Sequence, residues 1–327
     1  MSFHSHVRIF LFLLSAVAFM TACAGSIEHQ APTAANIPVP MDTLVTAEWL
    51  ERHLDDPDLV VLDSTVLIEP ADGGGLRNVN GRANFEQGHI PGAGFADLMG
   101  NLSDANGPYP YSLPEPEQFA AAMSALGVSD DSRVVLYDAN RSVWAARVWW
   151  MLRWIGFDRA ALLDGGLNAW KAAGGRLSHE PGSYPQGKLT VTLRPDLIAD
   201  RNEVLASIHK ETVDIVDALP AAHYRGTMAM YARPGHITGA LNVPTTSLVD
   251  ETGRLLSSDA LAAVLKGDRD RRTINYCGGG IAASFNAFVM TRMGYSDVAV
   301  YDASLQEWAA NSDNPMEVSP DPDWADD

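Results

Sequence analysis

Short apolar runs recur along the chain and alternate with longer stretches of helical spacing. "LVVLD" (59–63), "RVVLYD" (133–138) and "AALLDG" (160–165) are continuous, β-branched or Leu-rich, and flanked by polar residues. Such runs suit strands buried on both faces of a parallel sheet. Around them, "TAEWLERHL", "PEQFAAAMSALG" and "VWAARVWWMLRWIG" space their apolar residues for helices, with Gly127 and Gly156 where C-caps belong. Strands alternating with helices predict an α/β fold, a doubly wound parallel sheet flanked by helices. In such sheets ligands sit beyond the carboxyl ends of the strands.

The pattern occurs twice. "LVVLDST" (59–65) resembles "VDIVDAL" (213–219), and "GHIPGA" (88–93) returns as "GHITGA" (235–240). "RVVLYDANRSVWAARVWWMLRWIGF" (133–157) aligns with "RTINYCGGGIAASFNAFVMTRMGY" (272–295), and "ALLDGGLNAW" (161–170) with "AVYDASLQEW" (299–308). A long period of this kind predicts two copies of one domain. The copies span 41–178 and 195–315, with 179–194 as a connector and 316–327 as an acidic tail. Asp164 and Asp302 recur at strand ends before helices and read as caps. Trp144, Trp149, Trp150 and Trp154 read as core or inter-domain packing.

Composition narrows the setting. The 327 residues are 46% hydrophobic and 20% charged, with a formal net charge of −18. That is globular composition with an acidic surface, which argues against nucleic acid and anionic lipid as partners. Arg8 is followed by "IFLFLLSAVAFMTAC", too short to span a bilayer comfortably and typical of a secretory leader. Small residues stand directly before Cys23, as in a bacterial lipobox. Residues 1–23 are therefore expected to be a lipoprotein-type signal, with Cys23 lipidated. Residues 24–40, polar and rich in Ala and Pro, are expected to be a flexible tether. The expected location is the bacterial cell envelope, with attachment to the membrane through lipid alone. No aspartate follows Cys23, which favours the outer membrane, facing the periplasm.

Cys277 is the other of the two cysteines, in "TINYCGGGIAAS" (273–284). It ends a predicted strand and precedes a predicted helix. Three glycines free the backbone to turn several N–H groups onto one point, and the helix N-terminus adds partial positive charge. Such a cradle, from Gly278, Gly279, Gly280, Ile281 and Ala282, suits an anion on the Cys277 sulfur. A cysteine phosphatase needs Arg six residues after the cysteine to grip phosphoryl oxygens. Ala283 stands there, and no Arg occurs between Cys277 and Thr291. Sulfur transfer needs less, because a persulfide anion can rest on backbone alone. No metal-ligand cluster, cofactor motif or nucleotide loop is visible. "GGG" (73–75) has neither a following lysine nor a helix signal.

The signatures "FEQGHIPGA", "ARVWWMLRWIGF", "LLDGGLNAW", "RPGHITGALNVP" and "CGGGIAAS" resemble the rhodanese superfamily, in its tandem-domain sulfurtransferase form. The resemblance covers almost the whole chain after the leader. It implies an inactive first domain, where Asp138 matches Cys277, and a second domain carrying the sulfur. It also implies a small-molecule sulfur donor and a thiol or cyanide acceptor. The uncharged loop is closer to the mercaptopyruvate type than to the thiosulfate type. It departs at Gly279, where that type has a hydroxyl residue linked to protonation. His223 stands where relatives carry a donor-binding Arg. Arg233 matches a second such Arg, Arg225 lies nearby, and His89 matches a residue facing the site across the domain cleft. The rival reading is a rhodanese-like module that binds a partner or carries a persulfide without turnover.

Overall fold

The computed structural model describes residues 41–72 and 74–319. Residues 1–40, on which the expected leader, Cys23 and the expected tether fall, and residues 73 and 320–327 lie outside the described residues. No helix among the described residues is long and apolar enough to cross a membrane.

The first half runs β1 (Leu44–Val45), α1 (Ala47–His53), β2 (Leu59–Asp63), β3 (Val66–Pro70), β4 (Leu76–Asn80), α2 (Arg82–Gln87), β5 (Gly94–Phe95), α3 (Pro116–Ala125), β6 (Arg133–Tyr137), α4 (Val143–Trp154), β7 (Ala160–Leu163) and α5 (Gly166–Ala172). The second half runs β8 (Ile198–Ala199), α6 (Arg201–Ser207), β9 (Val213–Asp217), α7 (Ala221–Tyr224), β10 (His236–Ile237), β11 (Leu241–Asn242), α8 (Ser258–Val264), β12 (Arg272–Tyr276), α9 (Ile281–Arg292), β13 (Asp297–Tyr301), α10 (Ser304–Trp308) and β14 (Met316–Glu317).

Each half builds one five-stranded sheet, in the order β1-β7-β6-β2-β5 and β8-β13-β12-β9-β11. Every neighbouring pair is parallel. The two orders are the same permutation, so the sequence repeat is a structural repeat. Register repeats as well: Asp63 pairs with Tyr137 and Asp217 with Tyr276. Local sequence sets several element starts. Thr46, Asp200 and Ser257 each accept a backbone N–H in the first turn of α1, α6 and α8.

One hairpin departs from the repeat. The antiparallel β3–β4 hairpin has no counterpart in the second half. The acidic tail begins later than its composition suggests, because Met316–Glu317 pairs with His236–Ile237 as a short antiparallel ladder. The connector, 179–194, is anchored. The Tyr184 hydroxyl donates to the Gly92 carbonyl at 2.6 Å, and Thr190 is bonded to Asp130, so the segment lies along the first half.

One apolar core passes from the first sheet through α4 and α9 to the second, and smaller clusters fill the opposite faces. Trp149 meets Phe288 edge-on at 4.9 Å where α4 and α9 pack. Asp164 and Asp302 are not helix caps. The Asp164 carboxylate accepts the Leu255 N–H at 2.8 Å, and Asp302 accepts the Leu113 N–H at 3.4 Å. Each fastens its own half to a loop of the other, and the two bonds are related by the repeat.

Candidate active site

Cys277 follows β12 directly and sits at the carboxyl end of the second sheet, next to the N-terminus of α9. The chain turns at Gly280, whose φ of +78° places it in the left-handed region. A side chain on Gly280 would also lie 2.9 Å from the Asp302 carbonyl oxygen. The loop is braced from α10. Ser304 Oγ accepts the N–H groups of Cys277 at 3.1 Å and Gly280 at 3.2 Å, and donates to the Tyr301 carbonyl at 2.7 Å. Leu305 and Gln306 donate their N–H groups to the carbonyls of Cys277 and Gly278. Ser304 holds a φ of +50° to do this, a conformation that costs a non-glycine residue about 1 kcal/mol or more.

The first half shows what such a loop can hold. There the aligned residue, Asp138, follows β6, and its carboxylate is fully enclosed by the turn into α4. One oxygen accepts the N–H groups of Asn140 at 2.6 Å and Ser142 at 3.0 Å. The other accepts those of Trp144 and Ala145, both at 2.9 Å. Burial pushes the Asp138 carboxyl upward, and the four N–H groups oppose it. The turn is thus a four-donor cradle occupied by an internal carboxylate.

In the second half Cys277 stands in place of that carboxylate, and the turn is one residue shorter: Val143 starts α4 five positions after Asp138, and Ile281 starts α9 four positions after Cys277. Ser304 takes the Cys277 and Gly280 N–H groups. Those of Gly278, Gly279, Ile281 and Ala282 have no partner among the described residues. Gly280 therefore shapes the turn, while the other four members of the expected cradle present N–H groups. Cys277 is free of disulfide bonding and only 3% exposed.

Three side chains that sequence reasoning passed over complete the surroundings. A Cβ on Gly278 would lie 1.5 Å from the Tyr231 hydroxyl, so that phenol rests directly on the loop. Burial, then the charges of Cys277 and Asp217, push the Tyr231 phenol well above its ordinary value. Asp217, at the end of β9, is itself pushed up to about 7 by burial. A Cβ on Gly279 would meet the end of the Gln306 side chain at 2.1 Å. Arg147 reaches across from α4, wholly buried, and pairs with Asp302 at 2.5 Å while donating to the Tyr111 carbonyl at 2.9 Å. Its Nη1 lies against Gly280.

The other expected site residues are placed differently. Arg233 is a clamp: Nε bonds the Ala309 carbonyl, Nη1 that of Asn314, and Nη2 those of Trp308 and Asn311. Four of its five N–H donors are spent at and just beyond the end of α10, which corrects the expectation that it grips a donor. His89 is corrected likewise. It is 0% exposed, stacked on Phe85, with Nδ1 on the Phe85 carbonyl and Nε2 on that of Glu180. His236 repeats this arrangement on Tyr224, so both histidines serve their own halves. His223 lies on α7 with Nδ1 3.1 Å from the Met228 carbonyl, and Arg225 closes the same helix, half-buried.

Comparison with known proteins agrees with this architecture. The rhodanese-like domain model matches twice, at residues 46–173 and 200–311. The chain is 36% identical over 279 residues to the 3-mercaptopyruvate sulfurtransferase of Escherichia coli K12, covering 84% of this chain and 97% of that one. It is 32% identical over 278 residues to the thiosulfate sulfurtransferase of Rattus norvegicus, covering 81% and 91%. The crystal structure of the E. coli 3-mercaptopyruvate sulfotransferase SseA superposes with a TM-score of 0.71 at 34% identity, covering 81% of this chain and 99% of that one. Two matched domains, one repeated sheet order and relatives aligned along nearly their whole length lead to one conclusion: the chain belongs to the rhodanese-like family, in its two-domain form, and is a sulfurtransferase.

Proposed function

We propose that the chain moves sulfane sulfur from a small anionic donor to a thiol or cyanide through a persulfide on Cys277. The observation that carries this reading is the comparison of the two loops. In the first half the turn holds a carboxylate on four backbone N–H groups, and in the second a sulfur replaces the carboxylate beside four unpartnered ones. A persulfide anion extends a cysteine by one atom and needs such donors, without an arginine. The uncharged loop supports 3-mercaptopyruvate over thiosulfate as donor, and relatives with both names support the class. Steady-state assays with each donor and cyanide test it: ping-pong turnover that vanishes in Cys277→Ser is expected.

A second reading is a persulfide carrier without multiple turnover. Arg233 is committed to backbone carbonyls and His223 replaces an arginine, so the donor-binding pair that the resemblance implies is missing. One sulfur taken up with no turnover to any acceptor would favour it. The leader and the small residues before Cys23 support a lipid anchor at the outer membrane, facing the periplasm. Labelled palmitate that is incorporated by the wild type and by Cys23→Ser alike would refute that anchor.

A further inference from the structure

When the Cys277 sulfur takes sulfur from a mercaptoketone such as 3-mercaptopyruvate, an S–S bond forms as the donor's C–S bond breaks. The electron pair of the C–S bond is left on the donor carbon as an enolate. That carbon must gain a proton to leave as pyruvate. The balance is Cys–S⁻ plus HS–CH2–CO–COO⁻ giving Cys–S–S⁻ plus CH3–CO–COO⁻. Thiosulfate differs: Cys–S⁻ plus S–SO3²⁻ gives Cys–S–S⁻ plus SO3²⁻, with no proton moved. A loop built for the first donor needs a proton source, and "CGGG" contains none in its side chains.

The groups around the loop differ in what they can give. The Ser304 hydroxyl has one proton, and it is donated to the Tyr301 carbonyl. Arg147 is buried, paired with Asp302 and bonded to the Tyr111 carbonyl. Gln306 is an amide. His89 has both nitrogens on carbonyls, those of Phe85 and Glu180. Tyr231 remains. Its ring packs against the apolar cluster on the outer face of the second sheet, which fixes the phenol's direction. Its hydroxyl rests on Gly278, the residue next to Cys277, and makes no hydrogen bond to any described residue. A partly buried phenol beside negative charge keeps its proton at neutral pH, so it enters the reaction as an acid.

We propose that Tyr231 is a catalytic residue, the general acid that protonates the enolate leaving group. In this step the O–H bond of Tyr231 breaks as the C–H bond of pyruvate forms. The phenolate then takes the S–H proton that the donor carried in, which leaves the persulfide on Cys277 as its anion. The proposal rests on the persulfide reading above. It also explains why the loop does without a hydroxyl at Gly279: the proton comes from a side chain lying over the loop instead of one within it. A side chain at Gly278 is excluded by the same phenol.

Tyr231→Phe keeps the ring and removes only the proton. Single-turnover persulfide formation, followed by quench and intact mass, is measured for wild type and Tyr231→Phe with three donors: 3-mercaptopyruvate, thiosulfate and methanethiosulfonate, whose sulfinate leaving group needs no proton. With 3-mercaptopyruvate the variant is expected to be slower by about 10²-fold or more, the usual scale for a lost general acid. With the other two donors the rates are expected to stay within about twofold. Equal loss with every donor would show a packing role and overturn the proposal, as would an unchanged rate with 3-mercaptopyruvate. Wild type that loads only from the two donors needing no proton would overturn it too. Wild type that loads from none of the three would overturn the persulfide reading itself, and this proposal with it.

Discussion

At the scale of single residues, the site depends on where individual donors and acceptors are spent. Ser304 is the clearest case. It occupies the position of Gly166 in the repeat, and both residues have positive φ, +50° and +56°. The first half uses glycine, which suffers no strain there. The second half accepts strain so that one hydroxyl can collect the Cys277 and Gly280 N–H groups. Ser304→Ala keeps the strain and leaves two buried N–H groups unpaired, each worth about 1–3 kcal/mol. Ser304→Gly loses the same bonds but relieves the backbone. Urea unfolding is expected to rank wild type above Ser304→Gly and Ser304→Gly above Ser304→Ala; the reverse order of the two variants would refute the strain argument. The substitution of "DAS" for "DGG" in the aligned repeat was a readable sign of this residue. Arg233 left no such sign. Its partners are main-chain carbonyls 75–81 positions away, and a carbonyl looks the same in every sequence.

At the scale of elements, the strand–turn–helix unit was legible because its signals are local: a continuous apolar strand, a glycine turn, then a helix. The alignment of Asp138 with Cys277 follows from those signals, and both residues do follow directly on the central strand of their sheet. What covers the turn was not legible, because Tyr231, Gln306 and Arg147 arrive from three other elements without any shared period. Their contacts predict unequal tolerance along the loop. Gly279→Ala meets only the flexible end of Gln306, and loss of rate is expected to be slight. Gly278→Ala must displace Tyr231, and Gly280→Ala adds positive-φ strain and a backbone clash. Both are expected to lose at least about tenfold in persulfide formation, as their backbone turn and its cover shift. A Gly279→Ala variant as damaged as the other two would contradict this ordering.

At the scale of the whole molecule, the first half has no sulfur at its turn but has a structural hold on the second. Arg147 carries that hold. It is buried at 0% exposure, and its partner Asp302 belongs to the other half, with its side chain 19% exposed. The asymmetry makes a prediction. Asp302→Leu leaves a charged guanidinium fully enclosed and is expected to cost about 3–5 kcal/mol. Arg147→Met leaves a carboxylate that still reaches water and is expected to cost less. The double variant is expected to recover part of the loss, because two apolar groups need no pairing. Strict additivity in urea unfolding would show that the pair does not couple the halves. The repeat foretold two domains; it did not foretell this contact, since the position of Arg147 is Phe285 in the second copy.

The proposed chemistry turns on Cys277 accepting one sulfur atom on a cradle of backbone N–H groups. Intact mass of the protein lacking residues 1–23, taken before and after incubation with 3-mercaptopyruvate, tests it most directly. A gain of one sulfur is expected, reversed by a thiol and abolished in Cys277→Ser. No gain, or a gain that survives Cys277→Ser, would contradict it.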